Sequence, residues 1–412
     1  MLIAHRIALD PTNKQRTYFA RASGTARYAY NWALGEWKRQ YEARKADPSL
    51  PAPSEASLRR QLNALKREQF AWMFDVTKCA AQEAIIDLGG ALGGAFRAFF
   101  EKRGKYPRFK KRGHHDSFCA ANETGTFRTD GHRIKLPVIG WVRMREAVRF
   151  VGPLKRVTVS READRWFASV VVDTGEIAPV QQPQAAVGVD MGITTLATLS
   201  QGGSITGPKA HKALLGRLRR ANKAMARKVL AARQAKRKFG QNIAKTQRKL
   251  ARLHARMANM RRDATHKATT MLVRTYRRIG IEDLNVRGMA SNRRLARSIM
   301  DGGLFEFRRQ LEYKAKLYGA AIVMANRWYP SSKTCSCCGS VKAELALSQR
   351  NFQCNDCGFE TDRDINAARN LEILAVSSTV SAGGEERSGT VRNSRVKRAS
   401  KKQELDSKPL AA

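Results

Sequence analysis

Acidic residues are scarce in this chain. Its 412 residues hold 35 Asp and Glu against 77 Lys and Arg, a formal net charge of +42. So one-sided a balance excludes a surface that neutralises itself. It calls for a densely negative partner, nucleic acid first, with a generic basic protein or a membrane-surface binder as the alternatives. Long apolar runs are missing too. None approaches the ~20 residues that cross a bilayer. Residues 1–10 lack the charged, then apolar, then small pattern of a secretory leader. Nothing points to secretion, so the 7 cysteines are not read as a disulfide framework. A reducing cytoplasm is expected. With 42% hydrophobic residues, most of the chain has the means to fold into several domains.

Taken in order, residues 1–10 alternate and stop at Pro11, the pattern of a strand. Helical spacing follows from Thr12 to about Lys45, and Gly24 is expected to divide it into two helices. Further helices are expected over Ser57 to about Phe70 and Thr77 to about Lys102, the last with a small-residue patch from Gly89 to Ala95 that permits close approach. Tyr28, Tyr30, Trp32, Trp37 and Tyr41 are expected mainly as the core of this helical block, with base stacking the alternative. Residues 103–113 form a basic, proline-broken connector suited to phosphate. From Ser117 to Thr174 the pattern turns to short strands, which predicts a small barrel that the opening strand joins. Residues 177–184 read as a linker. Three strands with tight turns then precede a very basic helical hairpin from Lys209 to Gly280, broken near Phe239 and Gly240. It carries 23 Lys or Arg and a single acid, Asp263. That is too one-sided for an ordinary solvated face. A fourth strand (R-R-I-G-I-E-D-L-N-V), a helix from Leu304 to Tyr318, a fifth strand (A-A-I-V-M-A-N-R-W-Y) and a helix from about Arg363 to Leu374 follow. Beyond Ser377 the composition is that of a disordered tail.

Two clusters carry chemistry. Cys335 and Cys338 are spaced C-x2-C, as are Cys354 and Cys357, and Gly339 and Gly358 follow each pair. This is the spacing of a closed four-thiolate zinc site, structural because no coordination position is left open. Cys337, inside the first pair, reads as a bystander. The second cluster is acidic. The strand and helix order is that of a ribonuclease-H-like fold, although fold alone does not establish function. Asp190 lies on the first of its strands and Glu282 on the fourth, each with a glycine two residues earlier on the same face, Gly188 and Gly280. Those glycines are expected to leave room for a metal or a phosphate. Asp283 falls on the opposite face. In the last helix Asp364 is preferred to Asp362, which suits a helix cap. Three acids meeting there are what a magnesium-dependent phosphodiester hydrolase uses.

These segments resemble the TnpB family, transposon-encoded RNA-guided DNA nucleases related to type V CRISPR effectors. The resemblance rests on G-V-D-M-G-I-T-T-L-A, I-E-D-L-N-V-R-G-M, F-R-R-Q-L-E-Y-K-A, P-S-S-K-T-C-S-C-C-G and D-R-D-I-N-A-A-R-N. It extends more loosely to the N-terminal R-Y-A-Y-N-W-A-L. It implies an α/β multidomain protein. A RuvC nuclease domain would occupy 185–334 and 359–376, with the basic hairpin at 209–278 and catalytic acids Asp190, Glu282 and Asp364 binding magnesium. A zinc ribbon (335–358) would be inserted, with Cys335, Cys338, Cys354 and Cys357 as ligands. A wedge-like β-barrel (1–10 and 104–180) would carry an inserted helical recognition domain (11–103), and 377–412 would be the disordered tail. The implied partners are a guide RNA and target double-stranded DNA beside a short adjacent motif. The implied setting is a prokaryotic cytoplasm at the nucleoid, off the membrane, with the protein a monomer or weak dimer. Two readings remain as alternatives: an RNA-guided or direct DNA-binding regulator without cleavage, which the intact acids oppose, and a strand-transfer transposase, which the lack of an evident helix-turn-helix opposes.

Overall fold

The computed structural model describes residues 1–100, 106–122, 125–176, 182–346 and 348–377, with backbone alone over 96–100. The start of the basic connector (103–105), most of the expected linker (177–181) and the expected tail from 378 onward lie outside the described residues.

Strand β1 (Leu2–Ala8) opens the chain. Thr12 then caps α1 (Asn13–Ala46): Gln15 N donates to Thr12 Oγ1, and Thr12 N donates to Gln15 Oε1. The helix runs unbroken through Gly24, where the sequence predicts two helices. Its buried face carries Phe19, Ala22, Ala26, Ala29, Ala33, Leu34 and Trp37 with no change of phase at the glycine. A helical glycine costs about 1 kcal/mol. Burying one large apolar side chain recovers about 1.5–3 kcal/mol, so the apolar stripe prevails. After α2 (Glu55–Gln69), capped by Ser54, and a 3-10 turn (Ala71–Asp75), α3 (Lys78–Phe100) completes the helical block.

Six strands follow: β2 (Ser117–Ala121), β3 (Arg128–Asp130), β4 (Arg133–Leu136), β5 (Gly140–Arg143), β6 (Leu154–Glu162) and β7 (Arg165–Asp173). An antiparallel sheet is ordered β1-β7-β6-β2, so the helical block is inserted between its two edge strands. Strands β3, β4 and β5 form a second sheet within the stretch where the sequence predicts a small barrel. The two sheets meet at the end of β1. Leu9 bridges Met144 there, with hydrogen bonds from Asp10 N to Arg143 O (2.8 Å) and from Arg145 N to Ala8 O (2.9 Å). Helices, rather than a closing strand, bury the apolar side chains at β2: Phe118 packs on Tyr18 and Phe19 of α1.

The second half begins with β8 (Gln184–Asp190), β9 (Ala197–Leu199) and β10 (Ser204–Ile205). The hairpin is α4 (Ala210–Gln234) and α5 (Gln241–Thr275), held by Leu214, Leu218 and Met257. Next come β11 (Tyr276–Glu282), the short α6 (Val286–Met289) and α7 (Ala296–Gly302), then α8 (Leu304–Tyr318) and β12 (Ala321–Ala325). The cysteine module contains β13 (Asn351–Gln353) and β14 (Glu360–Asp362), and α9 (Arg363–Ser377) follows. The five-stranded sheet is ordered β10-β9-β8-β11-β12, with β8, β11 and β12 parallel and β9 antiparallel to its neighbours β8 and β10. Val187, Val189, Ile279 and Ile281 pack with Leu272, Val273, Phe307 and Leu311 of α5 and α8. Helix α9 covers the opposite face, where Gly188 and Gly280 meet its backbone. Burial on both faces is why β8 and β11 read as nearly continuous apolar runs. Among the described residues no helix is long and apolar enough to cross a membrane.

Candidate active site and metal centre

Asp190 and Glu282 are the last residues of β8 and β11. The strands are parallel neighbours with Gly188 opposite Gly280 and Val189 opposite Ile281, so both acids emerge one step further at the same end of the sheet. Strand alternation turns them toward the face that α9 covers. Asp364 arrives in the first turn of that helix. Asp362 caps it, its Oδ1 accepting from Asp364 N (2.9 Å) and Ile365 N (3.1 Å).

The space that the sequence predicts beside each acid is filled by this helix. A Cβ on Gly188 would fall within 3.0 Å of Ala368 O, Ala368 C and Glu372 N, and one on Gly280 within 3.0 Å of Leu371 O and C. The glycines therefore seat helix backbone on sheet backbone. Ala367 and Ala368 are buried in the same contact. This close seating is what carries Asp364 toward the strand ends.

Burial, then the charges of Glu282 and Asp364, push Asp190 up to about 8. Its carboxyl keeps its proton at neutral pH until a cation offsets the repulsion. Without one, three acids at one sheet end repel. The group of ligand atoms that all lie within 4.8 Å of one another, among the described residues, is the cysteine set and not the acids. Three carboxylates are nonetheless the oxygen donors that hard divalent cations take. Asp283 is excluded by geometry: its carboxylate is held between Arg308 Nη1 (2.5 Å) and Arg327 Nη2 (2.7 Å). The hydrogen bond from Arg308 leads in keeping it below the usual carboxylate range.

Cys335, Cys338, Cys354 and Cys357 converge as their spacing predicts, and Cys337 stays outside, exposed. Sγ–Sγ distances are 3.7 Å for Cys335–Cys357 and 3.6 Å for Cys338–Cys354. Tetrahedral bonds of ~2.3 Å to zinc place neighbouring sulfurs about 3.8 Å apart, so the donor set fits that ion. Gly339 and Gly358 take the left-handed conformation (φ 80° and 69°) that turns each knuckle. Backbone N–H groups of Cys357 and then Asp356 draw the Cys354 thiol down, while the Cys357 thiol, despite its backbone hydrogen bond at Phe359, is pushed up by the neighbouring Cys338 sulfur, so the cluster holds protons that a metal would displace.

Three polar residues escape the sequence reading. Asn366 and Asn370 of α9 are buried, and both donate from Nδ2 to Thr334 O (2.7 Å each), just before the first cysteine. Ser331 is also buried and donates from Oγ to Glu282 Oε1 (2.5 Å). The signal for the asparagines was their i, i+4 spacing on an otherwise apolar helix face.

The basic hairpin presents a groove lined by Arg217, Arg220, Lys228, Lys245 and Lys249, with no acid among its lining residues. Lys228 is already committed, its Nζ donating to Thr246 Oγ1 (2.7 Å). The N-terminal aromatics divide: Tyr30 and Trp37 are core, while Tyr28 and Tyr41 are exposed. Tyr28 joins Trp32, Trp72, Arg21 and Arg27 in a cleft. Both arginines there face acids, Asp75 (3.8 Å) and Asp116 (3.3 Å) respectively.

By architecture this is a mixed α/β protein similar in fold to Cas12f1. It superposes on the Cas12f1 chain of a solved Cas12f1–sgRNA–target DNA complex with a TM-score of 0.53, at 15% identity, covering 88% of this chain and 83% of that one. Family profiles match residues 169–293 ("Probable transposase"), 305–371 ("Cas12f1-like, TNB domain") and 1–46 ("Helix-turn-helix domain"). In this chain the last stretch is one strand and one uninterrupted helix. A putative RNA-guided DNA endonuclease of Streptomyces pristinaespiralis is 38% identical over 411 residues, 97% of this chain and 96% of the relative. The putative RNA-guided DNA endonuclease InsQ of Escherichia coli (strain K12) is 34% identical over 400 residues, 93% and 94% of the two chains. The chain belongs to the TnpB family of transposon-encoded RNA-guided DNA nucleases.

Proposed function

We propose that this protein is the RNA-guided DNA endonuclease of an insertion sequence, with a magnesium-dependent RuvC-type site at Asp190, Glu282 and Asp364. The observation that carries the site is the placement of two acids at the ends of adjacent parallel strands, with a third delivered by the helix seated across them. Magnesium held by these acids would supply an activated water and charge stabilisation at the leaving oxygen. The chain's own part is to hold the donors. Asp190 would give up its proton to take a cation, Glu282 is held at Oε1 by Ser331, and Asp364 is set by the depth of α9. Residues 185–334 and 359–376 form the nuclease unit. The cysteine module, with zinc on Cys335, Cys338, Cys354 and Cys357, is structural. The hairpin groove holds guide and heteroduplex backbones, and base pairing supplies sequence specificity. The N-terminal sheets and their inserted helices form the remaining nucleic-acid lobe.

The test is cleavage of guide-matched DNA by Asp190→Ala, Glu282→Ala and Asp364→Ala. Each is expected to abolish magnesium-dependent cutting while leaving guide and target binding nearly intact. Asp283→Ala and Asp362→Ala lose far less, because one acid sits in an arginine clamp and the other caps α9. Cleavage surviving Asp190→Ala removes the mechanism. Wild-type protein that binds guide and target yet never cuts in magnesium or manganese leaves a regulator.

A further inference from the structure

The cysteine module and the acid site share one buried hydrogen-bond network. Ser331 and Asn370 are only 4% and 2% exposed, and Asn366 is fully buried. Asn370 Nδ2 donates to Ser331 O (2.8 Å) and Thr334 O (2.7 Å); Asn366 Nδ2 donates to the same Thr334 O (2.7 Å). Asn366 Oδ1 accepts from Ser336 N (3.0 Å). The turn that precedes and contains Cys335 is thereby joined at several points to α9, the helix that bears Asp364. The same turn projects Ser331 Oγ onto Glu282 Oε1 (2.5 Å). The seat formed by Gly188 and Gly280 sets how deeply α9 lies on the sheet. The asparagines, lying four residues apart along the helix, set its position against the cysteine turn. A network of this kind favours one arrangement, because a donor or acceptor left without its partner is destabilising.

We infer that Ser331 is a positioning residue for Glu282, and that the zinc-loaded cysteine turn, fastened to α9 through Asn366 and Asn370, holds Ser331 in place. The inference rests on the reading of Asp190, Glu282 and Asp364 as a divalent-cation site. With Oε1 held by Ser331, the Glu282 carboxylate is oriented and keeps Oε2 available. Emptying the cysteine site then weakens cation binding at acids that no cysteine touches.

The experiment is a manganese titration of the guide-bound protein, read as free Mn2+ by electron paramagnetic resonance, with zinc content and far-UV dichroism measured on the same samples. Ser331→Ala is expected to keep zinc, fold and guide binding, and to weaken Mn2+ binding by about 10- to 100-fold, the usual cost of losing a partner of a metal ligand. Ser331→Thr, which retains the hydroxyl, restores most of it. Removing zinc with a chelator, then desalting, lowers Mn2+ affinity similarly, and zinc re-addition restores it. Unchanged Mn2+ affinity in a folded Ser331→Ala protein overturns the positioning role. Should zinc removal unfold the chain altogether, Ser331→Ala decides alone. If Asp190→Ala leaves Mn2+ binding as in wild type, the acids are no cation site, and it is the proposed function that fails.

Discussion

Gly188→Ala discriminates between two physical accounts of one residue. If the glycine leaves space for a bound phosphate or cation, an added methyl harms ligand binding and leaves the ligand-free fold untouched. If it seats α9, the methyl strikes helix backbone whether or not a ligand is present. The new Cβ would lie within 3.0 Å of Ala368 O, Ala368 C and Glu372 N, none of which can swing aside as a flexible side chain does. Overpacking of this kind costs about 1–3 kcal/mol. Reduced freedom of the unfolded chain returns about 0.4–1 kcal/mol. A net loss of about 1–2 kcal/mol corresponds to roughly 5- to 30-fold greater local opening. The assay is hydrogen exchange of peptides from α9, followed by mass spectrometry on zinc-loaded, magnesium-free protein. Exchange across Asp364–Ala375 is expected to accelerate by that factor. Cleavage falls further, since a displacement of about 1 Å can cost about 100-fold in rate. Gly216→Ala, in an open stretch of α4, is the control and leaves α9 exchange unchanged. Wild-type exchange in Gly188→Ala, combined with weakened Mn2+ binding, would refute the seating argument and restore the ligand-space account.

Asp190 is held at about 8, above its ordinary 3.8, so the folded state binds the extra proton between those values. Stability of the magnesium-free, zinc-loaded protein therefore falls as pH rises from about 4 to about 8. Denaturant midpoints across that range should show the decline, magnesium should reduce it, and Asp190→Asn should flatten it; a flat wild-type profile contradicts the assignment. Metal analysis of purified protein is expected to find one zinc per chain. Cys354→Ser should lose it together with solubility or activity, and Cys337→Ser should keep it, because Cys337 lies outside the sulfur cluster. Replacing Arg217, Arg220, Lys245 and Lys249 of the hairpin groove by glutamine should flatten the salt dependence of nucleic-acid binding. The slope should shrink by roughly 0.9 for each duplex phosphate no longer neutralised, or roughly 0.7 for each phosphate of a single strand; an unchanged slope returns the groove to a solvated surface.

What the residues disclosed unaided follows from how local each constraint is. The cysteine pairs are legible because two tight turns, each closed by a left-handed glycine, set their own spacing. β8 and β11 are legible because burial on both faces demands apolar runs, and an acid at the end of such a run stands out. The break in the basic hairpin is visible where apolar spacing lapses around Phe239 and Gly240, and the structure turns there between α4 and α5. The supposed break at Gly24 fails for a related reason. A glycine shows a local weakness, but the apolar stripe on both sides of it decides whether the helix continues. Sheet closure and the short α6 and α7 lie below what periodicity resolves.

The supports of the site are illegible for a different reason: their partners are distant in sequence and polar. A glycine shows that something approaches closely, and it does not show what. At Gly188 and Gly280 the approaching group is the backbone of Ala368 and Leu371, contributed by α9, a helix distant in sequence. Ser331 looks like one more serine in a loop, and its meaning comes from Glu282, a residue on another element. Chemistry restricts which residue types can serve as ligands, so the acids and cysteines announce themselves. A buried hydrogen bond asks only for some donor facing some acceptor, a demand many residues meet, and tertiary packing alone decides which pair does. The site therefore divides into ligands that the sequence exposes and a scaffold of glycines, asparagines and one serine that folding assembles around them.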